Sequence, residues 1–421
     1  MELLKSKYIC VVGLGQIGLP TAIVFANSGF NVLGVDIDER IVNQLNEGKT
    51  HIKEPGLQTA VTKVVESGRF KASIKPEEAD IYLIAVPTYI KADNTPDISA
   101  VESAISLITP YIKTNNLIVV ESTVPPGTVG GLLKNMLEQS GLKGGSDFYL
   151  AHCPERVLPG NILKEIIEND RVIGGIDDLS TKQAYELYST FVTGTIYTQE
   201  VTVVETTKLA ENIYRDVNIA LANELGNVCK QLGINVWEVI KLANKHPRVN
   251  LHLPGPGVGG HCIGVVPWFL ASTSLELTPL IQLSRNINNN QPLIVANLAL
   301  DMVKNIPDPK ITILGASYKA NVSDAKESPA EEIFEILEQA NLEVTVTDPI
   351  ANDFPYELID FKNSLIKSDL IIIVTDHEQF KIMDPNFVSQ LMRTKQILDT
   401  RNCLNHSEWR KFGFLVNILG G

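Results

Sequence analysis

The stretch Tyr8-Ile9-Cys10-Val11-Val12-Gly13-Leu14-Gly15-Gln16-Ile17-Gly18, with its continuation Leu19-Pro20-Thr21-Ala22-Ile23-Val24-Phe25-Ala26, decides how this chain folds. The first five residues read as a buried parallel strand, the glycines as a tight turn, and the apolar run after them as a helix. Glycine lets the backbone turn sharply and approach a pyrophosphate, whose oxygens take the unpaired N–H groups of the helix start. The next apolar segment, Asn31-Val32-Leu33-Gly34-Val35, runs into Asp36, just over 20 residues past Gly13. An acid there reaches both hydroxyls of a ribose and repels a 2′-phosphate, and no arginine immediately follows it to neutralise one. The stretch therefore predicts a Rossmann-type domain that takes NAD in preference to NADP, with Gly13, Gly15, Gln16, Ile17, Gly18 and Asp36 at the cofactor. Without the flanking strand, helix and acid, the glycine pattern would be only a sharp turn of an α/β domain.

The remainder of the chain sets wider bounds. Its 421 residues, 44% hydrophobic and 20% charged, suffice for two or three cores. Lys and Arg number 36 against 49 Asp and Glu, and the formal charge of -13 argues against a nucleic-acid partner. Cysteines at 10, 153, 229, 262 and 403 form neither close pairs nor a zinc-like cluster, so no disulfide scaffold and no metal are expected. The start Met1-Glu2-Leu3-Leu4-Lys5-Ser6-Lys7 lacks a signal core, and no run reaches about 18 apolar residues. A cytoplasmic enzyme without membrane insertion is expected.

Two further apolar runs, Ile81 to Val86 and Leu117 to Glu121, end in Pro87-Thr88 and in Ser122-Thr123-Val124-Pro125-Pro126-Gly127-Thr128. Proline stops a ladder at the carboxyl edge of a parallel sheet, and the hydroxyls of Thr88 and Thr123 can there orient a cofactor or water. Another strand, Phe148 to Ala151, leads to His152-Cys153-Pro154-Glu155-Arg156-Val157-Leu158-Pro159-Gly160, which sets an acid and a base beside the presumed cleft. From Glu205 to Leu225 no breaker interrupts a helical pattern: Leu209, Ile213, Val217, Ala220 and Leu221 share one face, whereas Glu205, Lys208 and Asn212 lie on a polar one. So long a helix suggests a dimer surface. A second sheet domain opens near Lys310-Ile311-Thr312-Ile313-Leu314, but Gly315-Ala316-Ser317-Tyr318 is a degraded phosphate loop, suited to a substrate nucleotide rather than a second NAD. The fold expected is α/β, two Rossmann-like domains joined by a long central helix, divided 1–200, 201–302 and 303–421.

Cys262 follows Pro254-Gly255-Pro256-Gly257-Val258-Gly259-Gly260-His261, a glycine loop that suggests a working thiol rather than a packed one. A thiol together with NAD fits aldehyde oxidation: sulfur adds to the carbonyl, a hydride departs, and water releases the resulting thioester. Lys208 and Asn212, one helical turn apart, could stabilise the negative oxygen at each tetrahedral stage, although such spacing also occurs in plain helix surfaces. Glu155, directly or through Thr123, could activate the water; its bland alternative is an ion pair with Arg156 or a loop cap. His261 is expected to position the loop rather than to take the thiol proton. His246-Pro247-Arg248-Val249-Asn250 offers a turn, a guanidinium and an amide for an anionic substrate. Trp237 and Trp268 read as packing residues, and Cys10 and Cys229 as structural.

These residues together resemble the UDP-glucose/GDP-mannose dehydrogenase family over almost the whole chain. The landmarks are Gly13 to Gly18, Val86-Pro87-Thr88, Ser122 to Thr128, Pro154-Glu155-Arg156, Glu205 to Asn212, and Gly259-Gly260-His261-Cys262. The resemblance implies two hydride transfers at one site, a dimer helix and a carboxyl-terminal domain that helps to bind a UDP-sugar. It makes Cys262 the nucleophile, Lys208 and Asn212 the oxygen-stabilising pair, and Glu155 with Thr123 the hydrolytic base system. Lys326 occupies a position often held by an arginine that approaches NAD. Glu155, Arg156, Lys208, Asn212, Arg248, Asn250, Gly259, Lys319 and Arg401 are implied on the substrate side. One departure stands out: Val266 occupies the place of a family aspartate, which implies slowed turnover or another acid in its stead. The thiol loop with Pro267-Trp268-Phe269 looks most similar to the branch acting on UDP-N-acetylmannosamine. UDP-N-acetylglucosamine and UDP-glucose are the alternative substrates, and a nucleotide-sugar sensor with impaired chemistry is the alternative class.

Overall fold

The computed structural model describes residues 6–421; the amino-terminal reading concerns mainly residues 1–5, which lie outside the described residues. The chain divides into two compact units, Met1–Glu211 with Trp268–Ser274, and Asn212–Pro267 with Leu275–Gly421.

The first unit is built on eight strands: β1 (Tyr8–Val12), β2 (Asn31–Val35), β3 (Phe70–Ser73), β4 (Ile81–Ile84), β5 (Leu117–Val120), β6 (Tyr149–His152), β7 (Arg171–Gly175) and β8 (Ile196–Glu200). They lie in the order β8-β7-β6-β5-β4-β1-β2-β3, parallel except where β6 meets β7. Side chains alternate across a strand, so Ile9, Val11, Leu83 and Val119 enter one core while Cys10, Val12, Tyr82, Ile84, Ile118 and Val120 enter the other. Burial on both faces explains why these strands read as continuous apolar runs rather than alternating ones. Helix α1 (Gly18–Asn27) begins at the last glycine of the loop. The ladder between these strands closes with Glu121 N on Ile84 O at 2.8 Å, and beyond it a side chain replaces the backbone donor, Ser122 Oγ donating to Val86 O at 2.7 Å.

The second unit carries five parallel strands, β9 (Lys310–Leu314), β10 (Glu343–Thr347), β11 (Leu370–Ile373), β12 (Gln396–Asp399) and β13 (Leu415–Ile418), ordered β10-β9-β11-β12-β13. Here too the faces alternate, with Ile311, Ile313, Leu370 and Ile372 in one core and Leu314, Ile371, Ile373 and Ile397 in the other. The units share helix α2 (Val201–Leu232), 32 residues long, which outruns the expected span because nothing breaks it until Gly233, whose φ of 68° suits a left-handed helix end. Trp237 packs as expected, with its indole N–H on Leu419 O at 2.9 Å, and Trp268 is buried. Among the described residues, no helix is long and apolar enough to cross a membrane.

Candidate active site

In the first unit the glycine loop has the form a dinucleotide needs. A side chain on Gly18 would start 1.8 Å from Gly13 O, so helix and strand can meet only through glycine, whereas one on Gly15 would meet nothing within 4 Å. Gly15 thus borders open space, and Gly15 and Gln16 are exposed, with Ile17 half-buried behind them. This is room for a pyrophosphate against backbone. Asp36 ties the loop from below, accepting Leu14 N–H at 3.0 Å on one oxygen and Asp38 N–H at 3.0 Å on the other. Arg40, the next arginine along the chain, lies on the surface gripping Asp38 at 2.7 Å, so it does not supply a ready 2′-phosphate site. Thr88 Oγ donates to Thr123 O at 3.0 Å, joining the two loops that were read as cofactor-facing.

Helix α2 is anchored to the same edge by a residue whose role the sequence hid. Glu205 was placed on a polar face beside Lys208, but it is fully buried and its carboxylate accepts Gly127 N–H at 2.6 Å and Val129 N–H at 2.8 Å. Those two amides open the turn after the prolines and would otherwise be orphaned. Burial raises the Glu205 carboxyl, and the amide bonds oppose the rise. One turn further on, Lys208 Nζ donates to the Glu155 carbonyl at 2.6 Å. Lys208 and Glu155 are therefore brought together, although through the backbone of Glu155.

The carboxylate of Glu155 points elsewhere. It is buried against Arg171, with Oε2 2.9 Å from the guanidinium, while Oε1 accepts Arg156 N–H at 2.7 Å. Of the two bland alternatives, the Glu155–Arg156 ion pair is not formed, whereas the loop cap is, through the Arg156 N–H. Arg156 instead holds Glu211 at 2.6 Å and Asp170 O at 3.2 Å, so the guanidinium implied for substrate is already engaged. At the far end of this loop Glu54 caps Gly160 N and Ile162 N at 2.9 and 2.8 Å. Arg171 was missed because an arginine opening a strand reads as a surface residue; only its burial at 3% exposure reveals its function.

In the second unit, Cys262 lies on helix α3 (His261–Ala271) rather than in the loop, and its thiol is exposed. The first-turn amides of a helix lack intrahelical partners and favour negative charge beside them. The His261 side chain lies outside what the structure describes. The preceding loop is compressed by segment 318–329: a side chain on Gly259 would start 2.6 Å from Glu327 O, and one on Gly260 2.8 Å from the Tyr318 ring. Arg401 NH1 would stand 2.9 Å from a side chain on Gly255, and Arg401 Nε donates to Val374 O at 2.8 Å. Arg401 thus meets the thiol loop. Buried amides hold that loop from α2: Gly255 N–H bonds Asn223 Oδ1 at 2.9 Å, Asn223 bonds Asn288 at 2.9 Å, and Asn288 bonds Asp216 at 2.8 Å. Asn212 is fully buried; its carbonyl takes Arg215, and its amide nitrogen has no partner. Arg248, Asn250, Lys319 and Lys326 are exposed, and Val266 is buried on α3. The acid ending β10, Asp348, closes its own loop, accepting Ala316 N at 2.8 Å and Ser317 N at 3.0 Å and pairing with His377 at 3.0 Å. Burial opposes its charge, but His377 and these amides outweigh it and hold the carboxyl well below the usual range.

A unit opening on a dinucleotide loop and a second nucleotide-type unit beyond a long helix define a two-domain NAD-dependent dehydrogenase. The chain belongs to the UDP-glucose/GDP-mannose dehydrogenase family, whose NAD binding domain matches residues 7–192, central domain 202–290 and UDP binding domain 312–406. It is 47% identical over 433 aligned positions to a UDP-N-acetyl-D-mannosamine dehydrogenase of Methanococcus aeolicus, covering 100% of this chain and 98% of that one. Among solved structures it is similar to a UDP-D-ManNAc dehydrogenase of Pyrococcus horikoshii, with a TM-score of 0.92, 38% identity and coverage of 98% and 99%. The UDP-N-acetyl-mannosamine dehydrogenase of Staphylococcus aureus gives a TM-score of 0.91 at 43% identity, covering 98% of each chain.

Proposed function

We propose that the chain oxidises the C6 alcohol of UDP-N-acetyl-D-mannosamine to the uronate, reducing two NAD per sugar. The observation that carries the chemistry is the exposed Cys262 thiol at the start of α3, beneath a loop fixed by Arg401, Asn223 and the Tyr318 segment. Gly13, Gly15, Gln16, Ile17, Gly18, Asp36, Thr88, Thr123 and Lys326 would hold NAD, which when bound would supply the hydride acceptor for both oxidations, while the C6 hydroxyl proton of the first passes to water. After the first, the Cys262 thiolate adds to the C6 aldehyde, and the oxyanion of this thiohemiacetal is met by Lys208 and by the unpartnered amide of Asn212. Loss of the second hydride leaves a thioester. Water, oriented by Thr123, attacks the acyl carbon and gives a proton to Glu155, whose carboxylate must first exchange its Arg171 or Arg156 N–H contact, as the C–S bond breaks and Cys262 leaves as thiolate. Arg156, Arg248, Asn250, Gly259, Lys319 and Arg401 serve the nucleotide-sugar, Arg156 after exchange of its Glu211 partner.

The division 1–200, 201–302 and 303–421 fits these tasks. On α2, Tyr214, Leu221 and Val228 are exposed at seven-residue spacing, the stripe of a helix that packs on a copy of itself, which supports a homodimer open to higher assembly. Free cysteines support a reducing, cytoplasmic setting. One observation favours a second reading: Val266 leaves α3 without the family's acid, as in a sensor that binds but turns over poorly. A panel of UDP-N-acetylmannosamine, UDP-N-acetylglucosamine and UDP-glucose decides, with NADH and uronate both measured. The proposal expects the first to be oxidised fastest, with two NADH per uronate. One NADH with released aldehyde would overturn it, and tight binding without NADH would select the sensor.

A further inference from the structure

In the second unit, four buried polar side chains that the proposed chemistry does not use run from α2 to the chain before Cys262. Asp216 and Asn223 lie two turns apart on the face of α2 turned away from Tyr214 and Leu221, and Arg285 and Asn288 come from helix α4 (Pro279–Asn289). Asp216 Oδ1 accepts Arg285 NH1 at 2.5 Å and Asn288 Nδ2 at 2.8 Å. Asn288 Oδ1 accepts Asn223 Nδ2 at 2.9 Å, and Asn223 Oδ1 accepts Gly255 N–H at 2.9 Å. Within Pro254-Gly255-Pro256 only the glycine has an N–H, and all three residues are buried, so Asn223 meets the one backbone donor there that needs a partner. The bonds run one way. A guanidinium only donates and Asp216 Oδ1 only accepts, so Asn288 must turn its NH2 to Asp216; its oxygen is then left for the Asn223 NH2, and the Asn223 oxygen for Gly255. Burial raises the Asp216 carboxyl, and Arg285 and Asn288 oppose the rise. Either charge state serves, because Oδ2 has no partner among the described residues: a proton would sit there and Oδ1 would still accept.

We propose that this one-way chain of amides positions the Cys262 loop for attack on the C6 aldehyde, with Asn223 and Asn288 as positioning residues and the Asp216–Arg285 pair as the fixed end that orients them. Past Gly255 the loop has little slack. A side chain on Gly257 would start 3.0 Å from Pro329, one on Gly259 2.6 Å from Glu327 O, and one on Gly260 2.8 Å from the Tyr318 ring. In so close a packing a displacement at Gly255 is not absorbed locally but passes along the loop to the start of α3, where Cys262 lies. Removing either amide leaves the Gly255 N–H without an oriented acceptor, although neither amide touches the sugar or the thiol.

This rests on the reading of Cys262 as the nucleophile. The first hydride transfer does not involve the thiol, whereas the second follows its addition to the aldehyde, so a misplaced loop should slow the second alone. The experiment mixes full-length enzyme with NAD and UDP-N-acetylmannosamine and follows the two NADH phases by stopped flow, beside formation of the acyl adduct by intact-protein mass. Asn223→Ala and Asn288→Ala should each slow the second phase and the adduct about tenfold, a typical cost of misplacing a reacting group, and leave the first phase within about threefold. Because both changes cut the same chain, the double variant should also be slowed about tenfold, rather than the roughly hundredfold of independent sites. Equal slowing of both phases, which is what a merely structural role produces, overturns the proposal. An unchanged second phase in either single variant, or a multiplied loss in the double, does the same. If an alanine variant does not fold, Asn223→Ser, whose hydroxyl is too short to span Gly255 and Asn288, decides by the same split between phases. Cys262→Ala separates the two failures: if it keeps a normal second phase, the nucleophile assignment itself is wrong.

Discussion

Val266 is the residue at which the chain departs most from the chemistry proposed for it. Its side chain is 5% exposed on the helix that begins at His261 and carries Cys262. If an acid there assists proton movement, Val266→Asp should raise one of the two transient oxidation rates by about tenfold, within the usual reach of acid–base assistance. A buried carboxyl without a partner should also lower thermal stability. Stopped-flow NADH transients check the rate, and no increase in either phase would remove the missing-acid explanation. Among single residues, those whose position follows from chain-local pattern were legible: Cys262 directly after its glycines, and Asp36 directly after its strand. Glu121 and Arg171 were not, because their partners Tyr188 and Glu155 are 67 and 16 residues away and no local spacing encodes the pairing.

The joint between α2 and the turn after Pro125-Pro126 rests on one carboxylate. Glu205→Ala would strand the Gly127 and Val129 amides in a buried setting, at roughly 1–3 kcal/mol per unsatisfied group. The expected result is a lower urea midpoint together with a fall in turnover, since Lys208 is one turn away on the same helix. Unchanged stability would show that water or another acceptor replaces the carboxylate. Strands and helix starts were readable because both faces of each sheet are buried and proline or glycine marks the ends. Helix length was underestimated, and the thiol loop was read as extending through Cys262, because glycines at 259 and 260 conceal that the helix has begun by His261. The partner that requires those glycines, Tyr318, is distant in sequence.

At the scale of the molecule, two nucleotide-type sheets were legible from their apolar runs, and the loss of the second NAD loop from Gly315-Ala316-Ser317-Tyr318. The bonds that tie Asp348 to that loop, as Asp36 is tied to the first, emerged only from the fold. Assembly is tested on the exposed stripe of α2. Leu221→Glu with Val228→Glu should convert a dimer to monomers in sedimentation velocity, by burying charge against charge across the contact; a monomeric wild type, or a dimer untouched by both changes, would place the interface elsewhere. The whole account turns on sulfur carrying the sugar between its two oxidations. The direct measurement is uronate formed by Cys262→Ala with UDP-N-acetylmannosamine and NAD: none above background is predicted, and a normal yield would contradict the covalent route outright.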